Sequence, residues 1–188
     1  AAPPSPRFLD LEAPHLEETR TARLGSLIRA AAFAPDLIAG ADPEAVVRRL
    51  GSRRTPAAGA SLRADAVAWL RAWVASPFFA GLRAARDVRP CEPWTLPGPP
   101  TVLGSCDALV RAEDGRWRCV TILAPGESPA WARLRASLSS TALDHNGPGA
   151  MGPSWLVHVP PDGPLKAERR GPIPDDERDR LAQAMAGA

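Results

Sequence analysis

The sequence predicts an α/β fold, a small mixed β-sheet flanked by helices and preceded by an N-terminal helical region. Three observations predict it. Apolar residues recur at helical spacing through 16–86, and three strand-like segments joined by Pro/Gly turns occupy 87–124. A helix, a short apolar strand and a last helix then follow. The chain of 188 residues suffices for one domain with a sizeable core. The expected divisions are an extended arm at 1–15, a helical region at 16–86, a sheet core with one helix at 87–160, and a tail with a helix at 161–188.

Each element has its own signal. Four prolines mark the arm. The first helix is expected over about 16–33, with Leu24, Leu27, Ile28 and Ala31 on one face, and Ala34-Pro35 ending it. Asp42-Pro43-Glu44 is an N-cap, a proline at the first helical position and an early acid; Gly51 is the expected stop. Leu62, Ala66, Trp69, Leu70 and Trp73 line the next helix, and Ser76-Pro77 ends it before a short turn bearing Phe78, Phe79 and Leu82. At that spacing Trp69 and Trp73 are expected in the core, a base-stacking platform being the alternative. The strands VRPCEPWTL, TVLGSCDALVRA and RWRCVTILA are separated by Pro97-Gly98-Pro99-Pro100 and by Glu113-Asp114-Gly115, a hairpin signal. Ser128-Pro129 caps a helix whose apolar side reads Trp131, Leu134, Leu138 and Ala142. A Gly/Pro loop leads to the strand SWLVHVP, and Asp175-Asp176-Glu177 opens a last helix through Leu181 and Met185.

Composition narrows the function classes. Hydrophobic content of 45% and charged content of 23% are ordinary for a soluble globular chain. No apolar run approaches the roughly 20 residues that span a bilayer, and no basic segment precedes an apolar stretch as in a signal peptide. The opening AAPPSPRF, without Met, suggests a piece excised from something longer. The net charge is +2, yet Lys166 is the single lysine among 23 basic residues, Tyr is absent and Asn146 is the single Asn. That bias, with abundant Ala, Pro and Gly, reads as GC-rich codon choice, so the arginines are weak evidence for phosphate binding. Cys91, Cys106 and Cys119 form no C-x-x-C pair, which argues against a zinc site or a disulfide framework and fits a reduced, cytoplasmic compartment.

The order of parts resembles the nuclease domain of RecB/AddA-type helicase–nucleases, in the PD-(D/E)XK superfamily. Its pattern is a helix with G-x-x-x-H, a strand like E-x-P-F, a strand G-x-x-D-x-L/V, a strand ending D-x-K and a helix bearing a glutamine. The matching segments are Gly25-Ser26-Leu27-Ile28-Arg29, Cys91-Glu92-Pro93-Trp94, Gly104-Ser105-Cys106-Asp107-Ala108-Leu109-Val110 and Cys119-Val120-Thr121-Ile122-Leu123-Ala124, with the helix from Trp131. The likeness covers about 16–160 and implies a restriction-endonuclease-like core. Such nucleases bring two carboxylates together to hold Mg²⁺ through oxygen ligands, with a lysine beside them. Here the pattern supplies Asp107 alone. Thr121 stands at the second acid, Leu123 at the lysine, Arg29 at the helical histidine, and Leu134 near the glutamine.

One carboxylate holds Mg²⁺ poorly, and an apolar Leu123 cannot stabilise developing charge, a contribution worth several kcal/mol in comparable sites. The resemblance therefore implies a degenerate domain: a non-catalytic scaffold or DNA-guiding module of a DNA repair or recombination helicase–nuclease. It would contact the helicase portion of the same or a partner chain, and DNA, without cofactor or metal. Arg29, Arg116 and Arg118 are the candidate phosphate contacts, and Asp107 is the candidate for any metal contact. An Asp107–Arg29 ion pair is expected where the metal would be. Alternatives are an active Mg²⁺-dependent nuclease with ligands relocated to Glu127 or Glu92, and a protein-interaction domain without DNA binding. His158, the Asp144-His145 loop and a chance Cys106/His158 pairing are weaker candidates.

Overall fold

The structure, a computed structural model, describes residues 8–10, 20–54, 59–97, 101–160, 164–174, 176 and 180. Helices α1 (Arg20–Ala32), α3 (Pro43–Arg54) and α4 (Ala60–Val74) pack together, joined by the short α2 (Pro35–Ile38) and followed by α5 (Pro77–Arg83). The sheet consists of β1 (Phe8–Asp10), β2 (Asp87–Leu96), β3 (Thr101–Arg111), β4 (Trp117–Leu123), β5 (Ser154–His158) and β6 (Lys166–Arg170), with α6 (Pro129–Asn146) between β4 and β5. It is an α/β fold with a mixed sheet, six-stranded among the described residues, flanked by helices.

Side-chain caps open three of the helices, at Asp42 and Ser128 as expected, and at Ser76, which was expected only to end the preceding helix. Asp42 Oδ1 accepts from the Glu44 N–H at 3.1 Å, Ser76 Oγ from Phe79 at 3.1 Å, and Ser128 Oγ from Trp131 at 3.4 Å. Other expectations need correction. Gly51 does not stop α3, which runs to Arg54, and Pro35 begins the short α2 as well as ending α1. Asp144 and His145 lie in the last turn of α6, not in a loop. Two segments expected outside the sheet belong to it: Phe8–Asp10 of the arm pairs parallel with Thr101, Val102 and Leu103, and the polar KAERR segment of the tail pairs antiparallel with β5. The expected start of the first helix and most of the last helix lie outside the described residues.

The helical region is not a separate unit. Leu24, Ile28, Val46, Leu70 and Trp73 share one core cluster with Ala108, Val110, Val120, Ile122 and Val157 from the sheet. On the opposite face α6 packs on Cys119, Leu109 and Trp117 through Leu138, Ala142 and Leu143, and on Leu123 through Ala132 and Ala136. Successive residues of β4 thus point into different layers: Val120 and Ile122 toward α1 and α4, Cys119 and Leu123 toward α6.

The pairing of β3 positions the site. One edge of β3 carries β2 along most of its length. The other edge carries β1 at 101–103 and β4 at 108–111, so residues 104–107 lie between two partners. Beyond the Ala108–Val120 pair, β4 leaves β3 and continues along β5. Asp107 stands at that fork. Across β2, at the register position facing it, Cys91 adopts φ +53°, a left-handed conformation costly for a residue with a Cβ.

Candidate functional site

At the fork, backbone groups of β4 lose a strand partner and must find another. Asp107 and Arg135 supply it. Ile122 N–H donates to Asp107 Oδ2 at 2.6 Å, and Arg135 Nη2 donates to the Ile122 carbonyl at 3.0 Å. Two side chains therefore replace the missing strand for this residue. Glu127, just past the Ala124 turn, accepts from the Ala124 N–H through Oε2 at 3.0 Å.

The same groups make a closed ion cluster. Arg135 Nη1 lies 3.1 Å from Asp107 Oδ1, and its Nη2 lies 3.3 Å from Glu127 Oε1. Arg29 Nη1 lies 3.2 Å from Glu127 Oε2, and its Nε lies 3.8 Å from Asp107 Oδ1. All four carboxylate oxygens have a donor, and two guanidinium groups balance two carboxylates. The side chains of Asp107, Arg135 and Glu127 are 7%, 6% and 13% exposed, against 30% for Arg29. Arg29 is the rim of the cluster; Arg135 is its centre.

Two layers feed the cluster through the gap in the sheet. Arg29 comes from α1, and Gly25, one turn earlier, explains how: a Cβ there would stand 3.0 Å from that of Ala124, so glycine lets α1 approach the end of β4. Arg135 comes from α6, brought close by Ala132 and Ala136 against Leu123. Gly104 has a separate reason. Its Cβ would lie 2.5 Å from the Trp94 ring, which crosses that position and donates through Nε1 to Ser139 Oγ at 2.8 Å.

The expected residues fall into place unevenly. The Arg29–Asp107 approach of 3.8 Å is an ion pair but not a hydrogen bond, and the hydrogen bond of Arg29 goes to Glu127 instead. Glu127, expected as a relocated acid, does converge with Asp107, but on a guanidinium. Thr121 and Leu123 are buried on β4, Leu123 among Ala132, Ala136 and Leu156. Arg116 and Arg118 sit at the β3–β4 turn, the far end of β4 from Arg29, and Arg118 is paired with Asp114 at 2.6 Å. Glu92 pairs with Cys106 in the β2–β3 ladder and takes no part in the cluster.

The remaining candidates resolve simply. Trp69 and Trp73 are core residues, stacked with centroids 5.7 Å apart. Cys106 is buried; its hydrogen bond with Cys119 and its burial push its thiol pKa up, opposite to what a nucleophile needs. His158 ends β5 across from Lys166.

Arg135 is the residue that sequence reasoning missed. The apolar side of α6 was expected to include Trp131, which is exposed, whereas Ala132, Arg135, Ala136 and Ser139 face inward. The available signal was an arginine one turn beyond the small Ala132, four residues before Ser139, on the stripe that the alanines define.

A divalent cation does not fit this donor set as arranged. Hard cations take six or more oxygen ligands, while the cluster offers two carboxylates whose oxygens already accept from Arg135, Arg29 and two backbone N–H groups. Among the described residues no group of three or more His, Cys, Asp or Glu side chains gathers at a possible metal position. Nor is any helix among them long and apolar enough to cross a membrane.

No family model matches the chain, and no curated protein matches it. Among solved structures, that of SSO0001 is similar over 90% of this chain and 76% of its own, with 14% identity and a TM-score of 0.42.

Proposed function

We propose that this chain is a nuclease-like domain without catalytic activity, serving as a scaffold or DNA-guiding module of a cytoplasmic DNA repair or recombination helicase–nuclease. The observation that carries the reading is Arg135, whose guanidinium bridges Asp107 and Glu127 at 3.1 and 3.3 Å. In a metal-dependent nuclease two converging carboxylates would share a cation at such a position. A fixed guanidinium there neutralises both acids without offering a coordination position for water or phosphate. The motif likeness around Gly104 and Asp107 supports the family part of the reading, and the helicase portion of the same or a neighbouring chain is the natural partner.

The deciding experiment is a nuclease assay with Mg²⁺ and Mn²⁺ on single- and double-stranded DNA. The reading expects no cleavage above background. Metal-dependent cleavage that Asp107→Ala abolishes would overturn it. A DNA titration against salt then separates the two non-catalytic roles: phosphate contacts give a steep negative slope, and a flat response favours a protein-interaction domain.

One observation favours a second reading. Asp107 and Glu127 do converge, so withdrawal of Arg135 would leave two carboxylates and the Ile122 carbonyl facing one point. An active nuclease on that basis requires cleavage to rise in Arg135→Ala under Mn²⁺.

A further inference from the structure

The β3–β4 turn gathers guanidinium groups. The Arg86 N–H donates to the Arg111 carbonyl at 2.8 Å, so the residue preceding β2 lies beside the end of β3. Gly115, at φ +79°, shapes the turn, and two arginine side chains converge on it. Arg111 Nε donates to its carbonyl at 3.4 Å, and a Cβ on Gly115 would stand 4.0 Å from Arg86 Nη1. Arg111 also shares the buried Trp117 ring with Arg89, their guanidinium carbons lying 5.9 and 4.5 Å from its centroid.

Carboxylates do not match these cations. Five arginines and three acids lie within 86–89 and 111–118. Asp87 is taken by Arg89 at 3.2 Å, and Asp114 by Arg118 at 2.6 Å. Glu113 is exposed and has no ion pair among the described residues. Arg86 and Arg111 are exposed too, and neither has a carboxylate partner among the described residues. GC-rich codon choice accounts for arginine in place of lysine, but not for two arginines meeting at one glycine. Arg20, Arg49 and Arg133, exposed on other surfaces, each meet a carboxylate.

Like charges held together cost free energy that an anion between them recovers. The arrangement is also fixed in advance. The Trp117 ring and the Gly115 carbonyl restrict the Arg111 side chain, so little rotamer freedom is lost when its Nη groups take an oxyanion.

We propose that Arg86 and Arg111 grip the phosphodiester backbone of DNA, with Arg89 beside them. This contact presupposes the DNA-guiding role and places it away from Arg29, at the opposite end of β4.

The test titrates the whole chain into a fluorescein-labelled DNA duplex at several salt concentrations, followed by anisotropy. The wild-type chain should give a steep negative slope of log affinity against log salt. Arg86→Gln combined with Arg111→Gln should reduce the magnitude of that slope by about 1–2 and weaken binding at low salt about tenfold. Arg86→Glu, at a side chain without a hydrogen bond to lose among the described residues, should weaken binding while leaving the unfolding midpoint unchanged. Arg48 and Arg63 line a separate groove between α3 and α4, and Gln at both removes the same charge. That control should hold its affinity within about twofold. Wild-type binding that survives the Arg86 and Arg111 variants, or an equal loss in the control, would overturn this contact and leave the DNA-guiding role standing. Displacement of the duplex by polyglutamate at equal charge would overturn it in favour of an acidic protein segment. An absence of DNA binding by the wild-type chain would overturn the contact and the DNA-guiding role together.

Discussion

The two faces of the sheet are built on different physical terms. Toward α1 and α4 the interior is aromatic and apolar. Trp73 is fully buried among Phe33, Trp69, Phe78 and Phe79, all with ring centroids within 6 Å, and its Nε1 donates to the Ala32 carbonyl at 3.0 Å. Toward α6 the interior holds Arg135, Ser139, Ser140, Thr121 and Ser154, and the Thr121 and Ser154 hydroxyls have no partner among the described residues. The first face also has unpartnered groups among the described residues, Trp69 Nε1 on a large apolar ring and Arg118 Nε at the end of β4 beside the β3–β4 turn. The difference teaches where stability and specialisation lie. A face made only to hold the fold has no reason to bury an arginine; a face that carries an ion cluster of two carboxylates does.

The largest test of that contrast is Trp73→Ala. It removes the centre of the aromatic cluster and leaves a cavity, so it should cost about 4–5 kcal/mol in a urea unfolding titration, the upper range for buried aromatics. A loss below about 1 kcal/mol would mean that the helical layer contributes little, against the contrast drawn here.

Next is Arg135→Met. It leaves Asp107 and Glu127 nearly buried beside each other and frees the Ile122 carbonyl, and should cost about 3 kcal/mol. The informative comparison is the pair Arg135→Met with Asp107→Asn. If the cluster is one unit, the double variant should be less destabilised than the sum of the singles, because the first change already strands the carboxylate that the second neutralises. Additive losses would show that Arg135 acts through packing alone. Arg29→Ala should cost about 1 kcal/mol or less and lose its effect in high salt, since its guanidinium is partly solvated.

How much of this was legible beforehand depends on the kind of signal. The strands from Asp87 to Leu123 announced themselves by β-branched runs and an Asp-Gly turn, and α3 and α6 by their caps, because these are local preferences. Asp107 and Arg29 were legible as candidates through spacing. Arg135 was not, because the pairing of its guanidinium with residues 28 positions earlier is set by the fork between β3 and β4, which no local pattern encodes. Strand β6 escaped for a related reason. KAERR has no alternation of apolar residues; all but Arg170, which is half-buried, are exposed, and it becomes a strand only because β5 offers an open edge. Trp131 misled in the opposite direction, its size suggesting burial on a helix whose inward stripe is small and polar.

A smaller effect of opposite sign is expected from Thr121→Val. The Thr121 hydroxyl is fully buried without a partner among the described residues, and valine has nearly the same shape, so the change should stabilise the protein by about 1 kcal/mol. Destabilisation would instead indicate an ordered water held by that hydroxyl, and with it a wetter α6 face than the contrast implies.

The smallest effect tests the edge of the sheet rather than either face. Burial lowers the pKa of His158 from the ordinary 6.5, with the Lys166 charge across the β5–β6 ladder adding to it. The folded state therefore binds protons less readily than the unfolded chain. The stabilising contribution of the neutral ring is fully present above pH 6.5 and is lost as the pH falls from there through the lowered folded value. Unfolding titrations at intervals from pH 7.5 downward should show this loss in the wild-type chain and a shallower slope in His158→Gln. Lys166→Gln separates the two causes. If burial dominates, most of the slope survives that change; if the slope vanishes with Lys166, the repulsion across the ladder is the main term, and β6 then opposes protonation of His158 chiefly through its charge.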